Sequence, residues 1–345
     1  VYLNSSVSLT AHLAEHGNFP AVARQIAGRL QVKRQLAEFG MGDRRLDGLQ
    51  RYPPLAQPLV PVLVRTERVH RIVQMHRLEA LDPDFGVYAP WRDADLLKLF
   101  PGRTEMVEFL AKRGIVAFVG TKKKYSTDAN LAGLSHEAED LESMETSMKI
   151  VKPTMGVWPE KAPNKVEKLT LKFEKGRCVA INGKKMSPLE VMVYLNKVGG
   201  KNGIGMKHAL ENRIIGTKSR GVYEAPGMEV LSWGLKYIYE GIMDRKSTQL
   251  FNQLSKLVSD QIYDGKWFTT LMDSLMAFVD KTQENVTGWV KLKLYKGSIR
   301  GAGSYSPYSL YNESIASFTT GDLYDHHDAE GFINLFGIGG DGGDF

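Results

Sequence analysis

A single cysteine, Cys178, stands in a chain of 345 residues. It excludes any intrachain disulfide and points to a reducing compartment, so a cytoplasmic location is expected. No apolar run approaches the ~20 residues that a membrane helix needs. No N-terminal signal pattern is visible, though the chain opens with Val1 rather than Met. Neither G-x-G-x-x-G nor a Walker pattern occurs, so no standard phosphate loop is announced. His326-His327-Asp328 suggests a metal site only superficially, because two adjacent histidines lack converging ligand geometry.

What remains is the composition of an ordinary globular protein, 43% apolar and 24% charged, long enough for two domains. The net charge of +6 is unevenly spread. Residues 16–77 carry 11 Lys+Arg against 4 Asp+Glu. A nucleic-acid reading would need aromatics interleaved on a basic face, and this segment has few. A basic nucleic-acid-binding protein is therefore the least favoured class.

Residues 1–17 read as a helix capped by Asn4, Ser5 or Ser6, with Leu9 and Leu13 at helical spacing. LQVKRQLAEFGMG, from Leu30 to Gly42, has the pattern of a basic amphipathic helix. Four prolines within Arg51–Val62 exclude a helix or a central strand there. From Leu78 the pattern recovers. FGVYAP reads as a short strand, and Asp95–Phe100 and Thr104–Lys112 as helices, with Gly114 as a stop. This alternation fits the tail of a parallel α/β domain, so a boundary is placed near 115. Ser126-Thr127-Asp128 has the chemistry of a helix N-cap.

Beyond residue 145 the sequence turns to β structure. KLTLKF alternates Leu169, Leu171 and Phe173 inward. Lys175-Gly176 and Asn182-Gly183 are two-residue turn signals. Ser187-Pro188-Leu189-Glu190 is a capping box opening a helix, whose buried stripe is expected from Leu189, Met192, Val193 and Val198. A later helix should bury Leu250, Leu254, Leu257, Val258 and Ile262 and stop at Gly265. TGWVKLKLYKG reads as a strand. LFGIGGDGGDF, rich in Gly and Asp, reads as a mobile end.

The densest feature is residues 199–227, with seven glycines. Glycines so close together mark backbone that turns sharply or approaches something closely. A surface connection is one reading, and backbone N–H groups aimed at an anion another. Within it ALENRII reads as the start of a helix or strand. Glu211 and Glu224 stand in informative places, and Glu211-Asn212-Arg213 sets three hydrogen-bonding side chains side by side.

GGKNGIG with ENRIIGTKSRGVYEAPG resembles the central signature of argininosuccinate synthases. YSTDANLAGLSHEAEDLE resembles the serine-rich segment of that family. TGWVKLKLYKGS with SPYSLYNESIASFTTGDLYDHHDAEGFI resembles its C-terminal part. The resemblance covers roughly 78–338. It implies an α/β chain, a remnant parallel-sheet adenine-nucleotide domain of PP-loop (HUP-like) type at 1–115. An α+β synthetase domain at 116–338 and a Gly/Asp-rich tail at 339–345 would follow.

The reaction it implies is ATP-dependent ligation of citrulline and aspartate to argininosuccinate, releasing AMP and pyrophosphate. Ser126, Ser135, Glu211 and Tyr223 match the family's citrulline-binding residues, and Tyr52 matches less closely. Asn4, Ser5 and Ser6 fall where the pyrophosphate loop would end, without its glycines and without the preceding strand. Mg²⁺ would be held through ATP phosphates. The family's aspartate-binding segment has no match, and Arg71 lies two residues from where its arginine should fall. Codons can be chosen for Pro54–Pro61 and its neighbours that, read two bases later, restore a family-like Leu-Gly-Thr segment. The expectation is thus a nearly complete citrulline side beside a broken or absent ATP/aspartate side, with little turnover. The alternative is an inactive relative that binds an amino acid or a protein partner. Family members form tetramers through a C-terminal helical arm, and no such helix is expected from this sequence.

Overall fold

The computed structural model describes residues 93–115, 125–317, 319 and 324–338. The helices and strand expected before residue 93, the Lys122–Lys124 run and the 339–345 tail lie outside them. So do Asn4, Ser5, Ser6, Tyr52 and Arg71.

Two short helices come first, α1 (Ala94–Leu99) and α2 (Arg103–Ala111), as the sequence predicts. Asp93 caps α1 by accepting from the backbone N–H groups of Asp95 and Leu96. Phe100 and Phe109 join the pair edge to face, with centroids 5.0 Å apart. Among the described residues the strands form two antiparallel sheets.

The larger sheet has the order β5-β4-β3-β8-β9. Its strands are β3 (Glu167–Glu174), β4 (Arg177–Ile181), β5 (Lys184–Lys185), β8 (Gly288–Tyr295) and β9 (Ser298–Tyr305). Three hairpins close it with two-residue turns, Lys175-Gly176, Asn182-Gly183 and Lys296-Gly297. All six turn residues have positive φ, between 42° and 82°. That is the geometry whose twist matches the flanking strands, and the glycine adopts it without a Cβ penalty. Leu169, Leu171 and Phe173 of β3 and Val290, Leu292 and Leu294 of β8 are buried on one face. Their intervening partners are mostly lysines, which gives the alternation of a sheet wet on one side.

Helices α3 (Pro188–Lys201) and α4 (Pro226–Ile242) pack against the apolar face, and α5 (Arg245–Tyr263) and α6 (Thr270–Gln283) add Phe251, Val258, Met272 and Leu275 to the same core. The capping box at α3 forms as expected, Glu190 N–H donating to Ser187 Oγ and Ser187 N–H to Glu190 Oε2. Its buried stripe differs from the expected one. Val191, Met192, Leu195 and Val198 are inside, while Leu189 and Val193 are exposed. Met192 and Val198 are buried as expected, and Gly199 and Gly200, at the end of the helix, also face inward, Gly199 against Pro226 of α4. A Cβ on Gly200 would lie 2.0 Å from the Met155 carbonyl oxygen. Glycine here allows the chain at 155–156 to lie directly on the helix. In α5 the sequence places Leu250 inside, but Phe251 is buried and Leu250 exposed. Gly265, at φ 76°, ends α5 as expected. Cys178 is buried in the same core, and burial pushes its thiol pKa up to about 12.

The smaller sheet has the order β1-β2-β7-β6. Its strands are β1 (Ser126–Ala129), β2 (Leu134–Glu137), β6 (Met206–Asn212) and β7 (Lys218–Glu224). No helix starts at Ser126, so its capping reading is overturned. Asn130 turns the chain instead, its side chain accepting from the N–H groups of Ala132 and Gly133, and β1 pairs with β2. ALENRII resolves as strand β6 running into a turn in which Arg213 N–H bonds the Thr217 carbonyl.

A last helix, α7 (Asp328–Gly337), corrects the expectation that the C-terminal part lacks one and that 335–337 are mobile. Glycines at 331 and 337 obscure it in the sequence. Its side chains are exposed, with Phe332 63% and Phe336 72% accessible and their rings stacked. No helix among the described residues is long and apolar enough to cross a membrane.

Candidate functional site

The site is built on the smaller sheet. In an antiparallel ladder, directly opposed residues share a face, and so do residues two apart on one strand. Ser135 opposes Tyr223 on one side and Asp128 on the other. Tyr223 opposes Lys207. Counting in twos places Ser126 on β1, Ser135 on β2, Tyr223 on β7 and Glu211 on β6 on the same face. Four residues from four strands, spread over almost a hundred positions, thus come onto one surface.

Tyr223 and Glu211 also touch. The Tyr223 hydroxyl donates to Glu211 Oε1. To reach it the phenol ring runs along the strand over Gly221. A Cβ at Gly221 would lie 2.8 Å from the ring, so the small residue makes the path possible. Tyr223 and Ser135 are buried, whereas Ser126 and Glu211 are half-buried. The same face holds two ion pairs. Lys207 meets Glu229 in the first turn of α4 at 2.8 Å, and Arg213 meets Glu137 at 3.4 Å. A carboxylate, a phenol and two hydroxyls, framed by paired charges, suit a small zwitterion.

A family model, the arginosuccinate synthase C-terminal domain, matches residues 125–341. The chain belongs to this family. An argininosuccinate synthase of Lachnoclostridium phytofermentans is 49% identical over 262 residues, covering 76% of this chain and 64% of that protein. One of Agathobacter rectalis is 47% identical over 263 residues, with the same coverages. One of Lachnospira eligens is 46% identical over 263 residues, again covering 76% and 64%. The chain therefore spans a little under two thirds of the length of these relatives.

The segments that resemble the family's serine-rich run and central signature supply the strands of this smaller sheet. Its other face carries residues the sequence did not reveal as a unit. His136 and Glu224 are each 1% exposed, and His136 Nε2 lies 2.8 Å from Glu224 Oε1. His136 Nδ1 meets the Thr127 hydroxyl at 2.9 Å, and Tyr125 packs edge-on against the imidazole. Glu224 also accepts from the backbone N–H groups of Thr154 and Met155, each at 2.8 Å. Glu224 stood out in the sequence without a partner. His136 had no signal, since nothing local marks a residue whose partner lies 88 positions away.

Arg220, also on this second face, anchors a loop. Its guanidinium donates to the carbonyls of Leu141, Ser143 and Thr146, and its Nε–H to His208 Nε2. Partial burial, and then the Arg220 charge, hold the His208 pKa below its ordinary value. His208 thereby remains the acceptor that this bond requires.

Proposed function

We propose that the chain acts in the argininosuccinate synthase reaction and that its smaller sheet forms the citrulline side of the site. Glu211 meets the α-ammonium. Ser126 and Ser135 donate to the α-carboxylate, and Tyr223 lies along the aliphatic stem with its hydroxyl steering the Glu211 carboxylate. The observation that supports this reading is that strand register sets those four residues on one face of the sheet, with the Tyr223–Glu211 bond between two of them. Holding a neutral ureido group in fixed orientation is the main service such residues give, because this chemistry depends on placement more than on a covalent nucleophile. ATP, when bound, would adenylate the ureido oxygen with release of pyrophosphate, and the aspartate amine would then displace AMP.

The nucleotide side, with Mg²⁺ held through the ATP phosphates, belongs to the segment before residue 93, which we read as the remnant of a PP-loop domain ending near 115. The synthetase domain would run from 116 to 338. We assign a cytoplasmic location and a homo-oligomer, in which the exposed apolar face of α7 (Phe332, Ile333, Phe336) would meet another copy.

Isothermal titration of citrulline into the chain, with and without Glu211→Gln, tests the reading. The expected result is binding weakened roughly tenfold or more by the substitution, the size of one lost charge-assisted hydrogen bond. No citrulline binding by the unsubstituted chain overturns it. A pyrophosphate-release assay should give little turnover, consistent with an incomplete nucleotide side. Citrulline binding without ATP binding would favour an inactive amino-acid-binding relative.

A further inference from the structure

The buried His136–Glu224 pair touches nothing on the face assigned to citrulline, yet each member is the chain neighbour of a residue there. Ser135 precedes His136 and Tyr223 precedes Glu224, and the two strands are hydrogen-bonded neighbours. Because side chains alternate, a bond between 136 and 224 on one face fixes where 135 and 223 project on the other. His136 is held at both nitrogens, by Thr127 of β1 and by Glu224 of β7. Three of the four strands are thereby locked through one imidazole. Glu224 extends the lock to the segment at 154–155, which rests in turn on Gly200 of α3. Its carboxylate meets three groups, the His136 ring and the backbone N–H groups of Thr154 and Met155.

Stability alone does not account for this arrangement. An ionisable pair removed from water costs free energy, and an apolar pair of similar volume would hold two strands together at least as well. The same face already buries the apolar Leu134 and Val222 beside the pair. What the polar pair adds is direction: a hydrogen bond fails when a strand slides or twists, and an apolar contact does not.

We propose that His136 and Glu224 are positioning residues for the citrulline pocket, setting Ser135 and the Tyr223–Glu211 bond from the opposite face of the sheet. This rests on the function proposed above for that face. The test uses the full chain with tyrosines ¹³C-labelled at the phenol carbon and the Tyr223 signal assigned by Tyr223→Phe. Glu224→Gln and His136→Leu should each move the Tyr223 signal and weaken citrulline binding roughly tenfold. His136→Gln, whose amide can donate where Nε2 does, should restore most of both. An unmoved Tyr223 signal in Glu224→Gln and His136→Leu, with only a lowered melting temperature, would reduce the pair to a structural role and overturn the proposal. Should His136→Leu not fold, Glu224→Gln against His136→Gln decides it on the same two readouts. A wild-type chain that binds no citrulline overturns the function instead, and the positioning role then stands or falls on the Tyr223 signal.

Discussion

The two sheets of this protein follow opposite rules. The five-stranded sheet is apolar on its inner face, lysine-rich on its outer face and closed by three turns of one type. The four-stranded sheet has a buried or half-buried polar residue at half of its strand positions, on both faces, among them Ser135, His136, Glu137, Tyr223 and Glu224. The first is held by area removed from water, which is tolerant of detail. The second is held by directed bonds, each of which fixes an orientation. Groups placed on the second sheet have their geometry tied to bonds, while the first supplies free energy by burial.

The sharpest way to break this contrast is to damage the apolar sheet. Leu171 is fully buried at the centre of β3, where its side chain meets α4 at Gly234. Leu171→Ala should cost about 2–5 kcal/mol in urea unfolding, since the removed methyl groups leave a cavity in a close-packed core. Citrulline affinity, measured at a temperature where the variant remains folded, should be unchanged. A loss of affinity as large as the loss of stability would show that the division of labour is false.

Gly221→Ala tests the other sheet. The new methyl group would collide with the Tyr223 ring, which must leave its path to Glu211. Overpacking of this kind costs about 1–3 kcal/mol, and here citrulline binding should fall at least as steeply as stability. Unchanged binding would mean that the Tyr223–Glu211 bond is incidental to the site.

The same contrast explains what could be read from the sequence. The hairpins at 175–176 and 182–183 and the Leu169/Leu171/Phe173 alternation are written in adjacent letters, and the structure has them as expected. The capping box at Ser187 is equally local. The smaller sheet was not legible this way. Ser126-Thr127-Asp128 has good cap chemistry, and only pairing with β2 makes it a strand. ALENRII left helix and strand open until its partner, a few residues on, was known. The four site residues were reached through family resemblance, and local pattern would not have joined Ser126 to Glu211. α7 was missed because its glycines resemble those of the tail behind it. Helical spacing found Met192, Val198, Val258 and Ile262, which are buried, and failed at Leu189, Val193 and Leu250, which are exposed, because neighbouring elements, not periodicity alone, choose the edges of a buried face.

A finer comparison sets an exposed carboxylate on the apolar side against the buried one at Glu224. Asp244 caps α5, accepting from the N–H groups of Lys246 and Ser247 and from the Ser247 hydroxyl. The Ser247 hydroxyl first, and then those backbone donors, hold its pKa below 3.8. A carboxyl group whose folded-state pKa is depressed stabilises the fold above its unfolded value, and that contribution is lost as pH falls through the folded value. Asp244→Asn keeps a capping side chain but removes the charge at the positive end of the helix. The variant should therefore melt slightly below wild type at pH 7. The two melting curves should draw together as pH falls beneath 3.8. Citrulline affinity should not change, because Asp244 opens α5 at the end opposite Tyr263, whose hydroxyl donates to the Asn212 carbonyl of β6. A gap that stays constant down to acid pH would mean that the charge contributes nothing and that capping geometry alone sets the helix start.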